Sequence, residues 1–334
     1  ISDIYITIGG VKQEGTSNIN VTYGTSVTVS VTVRKGYSFD GFTSSSSQVD
    51  SVDKDGAVNS GTTYSYTFDM PYEDVTITAN MLRDTNTSFN IVYMFEKLDV
   101  DNLTGSARYE TLTAHPQTTG TGTTDALITR ELLAGQDKII SEAGYVYASV
   151  GSMTSDGTLN PVYISGEGNS TIYVYYTRDT YTVTINYLYN GKSNGGNSIK
   201  EGPITNAVIK ENVRFGTVVD VEKLEFDGYE TVGNVPTSIT VQDDGENPNI
   251  NTVNIYYNPI EYTIAYEANN GTITTAGDSA YTIEKAIKLP TIERAGYTLD
   301  YWYATEAVEN WSVAEQFRDT TIPAGKFGNV TLKA

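Results

Sequence analysis

A Gly-Tyr pair behind a small or polar residue occurs four times in this chain, at Gly36-Tyr37, Gly144-Tyr145, Gly228-Tyr229 and Gly296-Tyr297. A pair that recurs along a chain marks several copies of one small unit, and this limits the fold more than length does. Each pair is followed later by a short run of strand character, at residues 75–78, 171–176, 253–257 and 330–332. Directly after the second and third runs a new alternation begins. Tyr181, Val183, Ile185 and Tyr187 fall on one side and Thr182, Thr184 and Asn186 on the other, and Tyr262-Thr263-Ile264-Ala265-Tyr266 repeats the pattern. Side chains along a strand point to alternate faces, so this is the pattern of strands with one buried side. The spacing predicts four modules, at residues 1–83, 84–179, 180–259 and 260–334. The joins Arg83-Asp84-Thr85-Asn86, Arg178-Asp179-Thr180 and Asn258-Pro259-Ile260 are too short for free tumbling, so a tandem elongated array with limited bending is expected.

Within the first module Val27, Val29, Val31 and Val33 alternate with Thr28, Ser30, Thr32 and Arg34, and Tyr64, Tyr66 and Phe68 alternate with Ser65 and Thr67. The chain holds 26 Tyr among many Val and Thr, residues that suit a pleated, half-buried surface. The fold class expected is therefore mainly β, in small modules with little helix. Helical spacing is confined to two places: residues 310–317, where Trp311, Ala314 and Phe317 share a face, and residues 129–142, broken by Gly135. Residues 44–47, all Ser, and the Gly/Thr stretch 118–124 carry no core pattern and are expected as exposed loops.

The charge balance, 21 Lys+Arg against 41 Asp+Glu for a formal net charge of -20, repels phosphate backbones and anionic lipid. Nucleic acid is excluded as a partner, and no membrane insertion is expected, because no run of 18 apolar residues occurs. With no cysteine there is neither a disulfide scaffold nor a thiolate metal site. No export signal or sorting motif lies in these residues, so an anchor is expected outside them.

Groups that carry chemistry are scarce. His115 is the sole histidine and precedes Pro116 in a polar stretch, where an exposed loop residue is expected, and no transition-metal site follows from it. Calcium needs only oxygen ligands, and Asp50 to Gly56, Asp99 to Leu103 and Asp243 to Asn247 are acidic loops. None has the EF-hand spacing, and turn chemistry accounts for Asp, Asn and Gly there without an ion, so no cofactor is expected. No pair among the many carboxylates is marked out for hydrolysis. The expectation is that the chain is not an enzyme. Aromatics remain. Tyr173 and Tyr175 lie opposite Ile172 and Val174, and Tyr256 lies opposite Ile255 and Tyr257, so these three tyrosines are expected on an exposed face where rings could stack on sugars. Cross-strand pairing on a solvated sheet face is the favoured account of them. Trp302 is expected in a core. Charge repulsion favours a monomer.

Residues 260–334 resemble the internalin-type B-repeats, also known as Listeria–Bacteroides repeats. The residues that carry the resemblance are Tyr262-Thr263-Ile264-Ala265-Tyr266 with Asn269-Asn270-Gly271-Thr272, Leu289-Pro290, Gly296-Tyr297-Thr298-Leu299, Trp302-Tyr303, Ile322-Pro323-Ala324-Gly325 and Gly328-Asn329-Val330-Thr331-Leu332. Tyr301 departs from the family's usual Gly, and Ala334 stands short of its closing aromatic. The first module resembles the divergent form of this repeat through residues 23–29, Gly36-Tyr37-Ser38-Phe39-Asp40-Gly41-Phe42 and Phe68-Asp69-Met70-Pro71, with Phe42 in place of the usual Trp. The second and third modules are similar to mucin-binding-protein (MucBP) repeats, through Val183-Thr184-Ile185-Asn186-Tyr187, Gly228-Tyr229 and the runs ending at Tyr176 and Tyr257. The resemblance implies β-grasp-like modules on the outside of Gram-positive bacteria, cell-surface or cell-wall attached. It implies an adhesin or spacer, with host glycans, mucins or matrix proteins as partners, and it implies no reaction. Accessory modules of a larger secreted enzyme, or a stalk without ligand, fit the same residues.

Overall fold

The alternating Val, Ile, Tyr and Thr runs form strands throughout a computed structural model that describes residues 1–189 and 204–334. Among the described residues helix is limited to Arg130–Ala134 and the 3-10 turn Gly105–Arg108, and no helix is long and apolar enough to cross a membrane. The chain divides into two units, Ile1–Asp179 and Thr180–Ala334.

In the first unit, residues 3–83 make two sheets. Asp3–Ile8, Ser26–Thr32 and Thr63–Asp69 pair antiparallel in that order, and Tyr37–Ser44 pairs antiparallel with Ile77–Arg83. Val29, Val31, Phe39 and Phe42 fill the core between them, and Phe39 stacks on Tyr64 at 4.4 Å. On the other face of the first sheet three hydroxyl pairs, Thr28 with Thr67, Ser30 with Ser65 and Thr32 with Thr63, bond across the strands at 2.8, 2.8 and 2.9 Å. Cross-strand pairs of this kind fix register.

Residues 87–178 make one mixed sheet. The opening strand Thr87–Glu96 runs parallel to the closing strand Thr171–Arg178, and the Gly-Tyr strand Tyr145–Met153 runs antiparallel on the far side. Phe89, Ile91, Phe95, Ile172, Val174 and Tyr176 form the core. A parallel pair needs a long crossover. The helix Arg130–Ala134 lies in that crossover, with Thr129 accepting from the Leu132 N–H at 3.3 Å at its start and Leu133 wholly buried.

The second unit repeats the arrangement twice. Thr180–Tyr189 is parallel to Thr252–Pro259, flanked by Thr205–Arg214 and Tyr229–Thr231. Tyr262–Glu267 is parallel to Val330–Lys333, flanked by Ala280–Tyr281 and Trp302–Ala304. The sheet order in all three cases is return strand, opening strand, closing strand, Gly-Tyr-side strand. The cores are built on Ile185, Tyr187, Ile255 and Tyr257, and on Trp302, Trp311, Ile264 and Leu332.

Three expectations are corrected. Residues 310–317 are not helical: Trp311 bridges Val308, Ala314 sits at φ +62° and Gln316–Phe317 pairs with Trp302–Ala304. Trp311 and Phe317 do reach one core, but from an extended path, and three residues are too few to separate the two periods. The stretch 118–124 is no exposed loop, since Thr118–Gly122 pairs with the opening strand and Thr124 is wholly buried. Its lack of apolar side chains reflects lack of room: a Cβ at Gly120 would lie 2.6 Å from the Phe89 ring, and one at Gly122 2.5 Å from Ile164 Cδ1. Ser46 in the Ser run is buried, bonds Glu73 and accepts from the Gln48 N–H at 3.0 Å.

Candidate functional site

The four Gly-Tyr glycines hold almost one backbone angle, φ +78° at Gly36, +79° at Gly144, +76° at Gly228 and +77° at Gly296. A turn with positive φ at its third position favours Gly. The following tyrosine N–H closes that turn on Glu142, Phe226 and Arg294 at 3.1, 3.0 and 3.0 Å in the second, third and fourth copies. In the first three copies the glycine carbonyl also accepts from the residue just past the closing strand, from Asp84 at 2.9 Å, Asp179 at 2.8 Å and Ile260 at 2.9 Å. The motif therefore fastens the point where the chain leaves one sheet for the next.

Inside the first unit it also reaches the neighbouring sheet. The Tyr37 hydroxyl donates to Asp125, whose Oδ2 also takes Arg83 Nε at 3.3 Å and lies 3.8 Å from Arg34 Nη2. The Arg34 guanidinium covers the Tyr37 ring at 4.4 Å. The hydrogen bond from Tyr37, then that from Arg83, holds the Asp125 carboxyl below the usual range. Gly36 lies flat on Gly166, where a Cβ would come 2.3 Å from Gly166 Cα. Lys35 and Glu167 form an ion pair alongside at 3.2 Å.

Inside the second unit the device recurs with other residues. Tyr189 and Tyr229 both donate to Glu284, at 2.8 and 3.2 Å, and Gly228 presses on Ile283, whose Cδ1 would be 2.8 Å from a Cβ. Burial, then the Glu284 carboxylate, pushes the Tyr189 hydroxyl up to about 12 and raises Tyr229 as well. In the fourth copy the same face is open: nothing lies within 4 Å of a Cβ on Gly296, and Tyr297 is 68% exposed beneath Arg294 at 4.1 Å.

The tyrosines singled out from sequence divide. Tyr173 and Tyr256 are half-exposed on the faces away from the cores. Tyr175 is corrected: it is 2% exposed, with the Tyr109 ring 4.9 Å away and the Met153 N–H donating to its hydroxyl at 3.1 Å. Alternation tells which face a side chain takes, not whether a later segment covers that face. Tyr173 and Tyr256 lie in separate units.

His115 is also corrected, because its side chain is 19% exposed, stacked on Phe95 at 5.3 Å and bonded to Glu142 at 2.6 Å. In the acidic loops Asp53 Oδ1 accepts from Asp55 and Gly56 at 3.1 and 2.9 Å, and Asp243 Oδ1 from Gly245 at 2.8 Å, the local bonds of Asx turns. Among the described residues no three His, Cys, Asp or Glu side chains gather in a metal-holding group. The buried carboxylate Glu96 pairs with Arg108 at 2.5 Å and accepts from the Arg178 N–H at 3.0 Å. Trp302 is 1% exposed, in the core.

One aromatic pair escaped sequence reasoning. Tyr23 and Tyr72, 66% and 86% exposed, stand with ring centres 5.3 Å apart, brought together because Gly24 bonds Met70 at 2.8 Å and Met70 bonds Thr25 at 2.9 Å. Their only signal is that each is beside a turn residue, Gly24 or Pro71.

No curated protein matches the chain. Among solved structures, the Bacillus anthracis TIE protein aligns over 100% of this chain and 66% of its own, at 11% identity and a TM-score of 0.34. Mub-RV aligns over 52% of this chain and 99% of its own (18%, 0.15), and the pilus adhesin SpaC from Lactobacillus rhamnosus GG over 93% and 56% (10%, 0.22). The chain thus spans slightly less than two thirds of the first of these, and at such TM-scores none carries weight for fold or function. The family comparison is more direct. Residues 6–84 match the Divergent InlB B-repeat domain and residues 262–334 the Listeria-Bacteroides repeat domain, so the first and last segments of the chain are similar to B-repeat modules.

Proposed function

We propose that this chain is a non-enzymatic spacer segment of an extracellular bacterial surface protein, divided at residues 1–83, 84–179, 180–259 and 260–334 and attached to the cell wall through sequence outside these residues. The observation that carries the reading is the repeated clasp, Tyr37 on Asp125 and Tyr229 on Glu284, with the glycine before each tyrosine pressed on the following module. A spacer needs neighbours that hold their angle, and two unrelated carboxylates meeting one motif supply that hold. The function needs no cofactor and no partner. Spin labels at Val58→Cys and Leu159→Cys, in a chain without other cysteines, test it. The expected distance distribution is narrow and broadens in Asp125→Ala. A distribution already broad in the parent protein would refute the spacer.

A second, adhesive reading is favoured by the Tyr23–Tyr72 pair, since exposed rings offer flat amphipathic area to a sugar face of a host glycan, mucin or matrix protein. A glycan and mucin array decides it: binding lost in Tyr23→Ala or Tyr72→Ala, or in Tyr173→Ala or Tyr256→Ala, locates the surface, and silence leaves the spacer alone.

A further inference from the structure

Tension between the ends of a module falls on the hydrogen bonds of its first and last strands, and the direction of those strands decides how the bonds share it. In residues 87–178 the opening strand Thr87–Glu96 and the closing strand Thr171–Arg178 run parallel, in register over six residue pairs, from Asn90 with Thr171 to Phe95 with Tyr176. Pulling the first strand toward its N-terminus and the last toward its C-terminus slides one along the other, so all these bonds are loaded together. Six pairs hold in the same way between Thr180–Tyr189 and Thr252–Pro259, from Thr184 with Thr252 to Tyr189 with Tyr257. The first module is built otherwise. Its outer strands, Asp3–Ile8 and Ile77–Arg83, lie in different sheets, each antiparallel to an inner strand, Ser26–Thr32 and Tyr37–Ser44. The inner strands are joined through residues 33–36, so tension enters and leaves each pair at one end, at Asp3 opposite Thr32 and at Arg83 opposite Tyr37. There it meets bonds one at a time, first Ser2 N–H to the Thr32 carbonyl and Asp84 N–H to the Gly36 carbonyl, both 2.9 Å.

We infer that the chain is graded for tension: residues 3–83 peel open first, while residues 87–178 and 180–259 resist in shear and keep their length. This rests on the spacer reading, since a segment held at the wall and by a distal part is one that carries tension from end to end. Forced unfolding follows the unfolding rate and not the equilibrium stability, so the direction of load can separate modules of similar stability. A first module that lengthens under load limits the tension passed to the modules after it.

The test attaches handles through paired cysteines in the full chain, which has none of its own. Asn86→Cys with Thr180→Cys loads the parallel pair along its strands. Asn86→Cys with Asn169→Cys loads the same pair from one end, where the Asn90 N–H meets the Ser170 carbonyl at 2.7 Å. Ile1→Cys with Thr85→Cys loads the first module end to end, and all five positions are exposed. Coinciding circular-dichroism melts confirm that the three proteins share one fold and stability. In single-molecule force spectroscopy the first geometry is expected to rupture at least about twofold above the other two, because six pairs share the load there and one meets it elsewhere. Equal forces in the two directions, or a first module that ruptures at or above the force of the sheared pair, would overturn the grading. Either result would leave the spin-label test of the spacer untouched, since a spacer can hold its angle without resisting tension.

Discussion

Gly228 and Gly233 lie in the same module with nearly the same backbone angle, φ +76° and +74°, but only Gly228 faces a neighbour. An alanine at either site carries the left-handed strain of an L residue, roughly 1–2 kcal/mol. At Gly233 the added methyl meets nothing within 4 Å, whereas at Gly228 it falls 2.8, 3.0 and 3.1 Å from Ile283 Cδ1, Cβ and Cγ2. A rotamer change can move the first of these atoms but not the Cβ, so the junction must either compress or part. Overpacking of this degree costs about 1–3 kcal/mol, and parting caps the cost at whatever the docked face contributes. Both tryptophans, Trp302 and Trp311, belong to the following module, so fluorescence reads that module and is blind to strain confined to the one that carries the glycines. In urea or heat, Gly228→Ala is expected to lower the fluorescence midpoint, by roughly 4–8 °C for each kcal/mol in a domain of this size. Gly233→Ala is expected to leave it in place. Equal midpoints for the two variants would refute the claim that the Gly-Tyr face stabilises the neighbour.

Two further outcomes follow from the same geometry. Tyr189, raised by burial and then by Glu284 to about 12 in the folded chain, has a folded value above its ordinary one near 10, so the stability it lends is complete below about pH 10 and is lost as pH rises toward 12. Glu284→Gln removes the carboxylate's part of that shift, and ultraviolet titration is expected to show tyrosinate appearing at lower pH. Tyr281→Phe strips the acceptor, at 2.9 Å, from the Trp311 indole N–H, which is 2% exposed. A buried donor left unpaired costs about 1–3 kcal/mol, read as an earlier tryptophan-fluorescence transition.

What the sequence disclosed is what periodicity can encode. The run Tyr181 to Tyr187 places Val183, Ile185 and Tyr187 in the core as its alternation requires, and the four closing runs are strands, the first beginning at Ile77. Coverage of a face is a tertiary fact, which is why Tyr175 reads as exposed and is buried beneath Tyr109. Polarity misleads for the same reason at His115, whose ring packs on Phe95 while its Nε2 keeps Glu142. The clasp had one legible half. Gly36-Tyr37 and Gly228-Tyr229 repeat and can be found, but Asp125 and Glu284 sit in dissimilar surroundings, Thr124-Asp125-Ala126 and Ile283-Glu284-Lys285, and share only a carboxylate.

The two roles of the Gly-Tyr glycine can be ranked from the copies themselves. At Gly36 and Gly228 the absence of a Cβ serves both the turn and the close approach of another module, so neither site alone says which requirement comes first. The backbone angle is common to all four copies, and at Gly296 the φ of +77° comes with the turn bond to Arg294. A positive φ asks for glycine at each copy on its own, and the interface uses a surface that the turn leaves bare. Such a surface accepts partners of different sequence, Gly166 and Thr124 in one case and Ile283 in the other, provided that a carboxylate stands within reach of the tyrosine hydroxyl. Shape set by the backbone and one charge-assisted bond is a small enough demand for unlike modules to follow one another in a single chain.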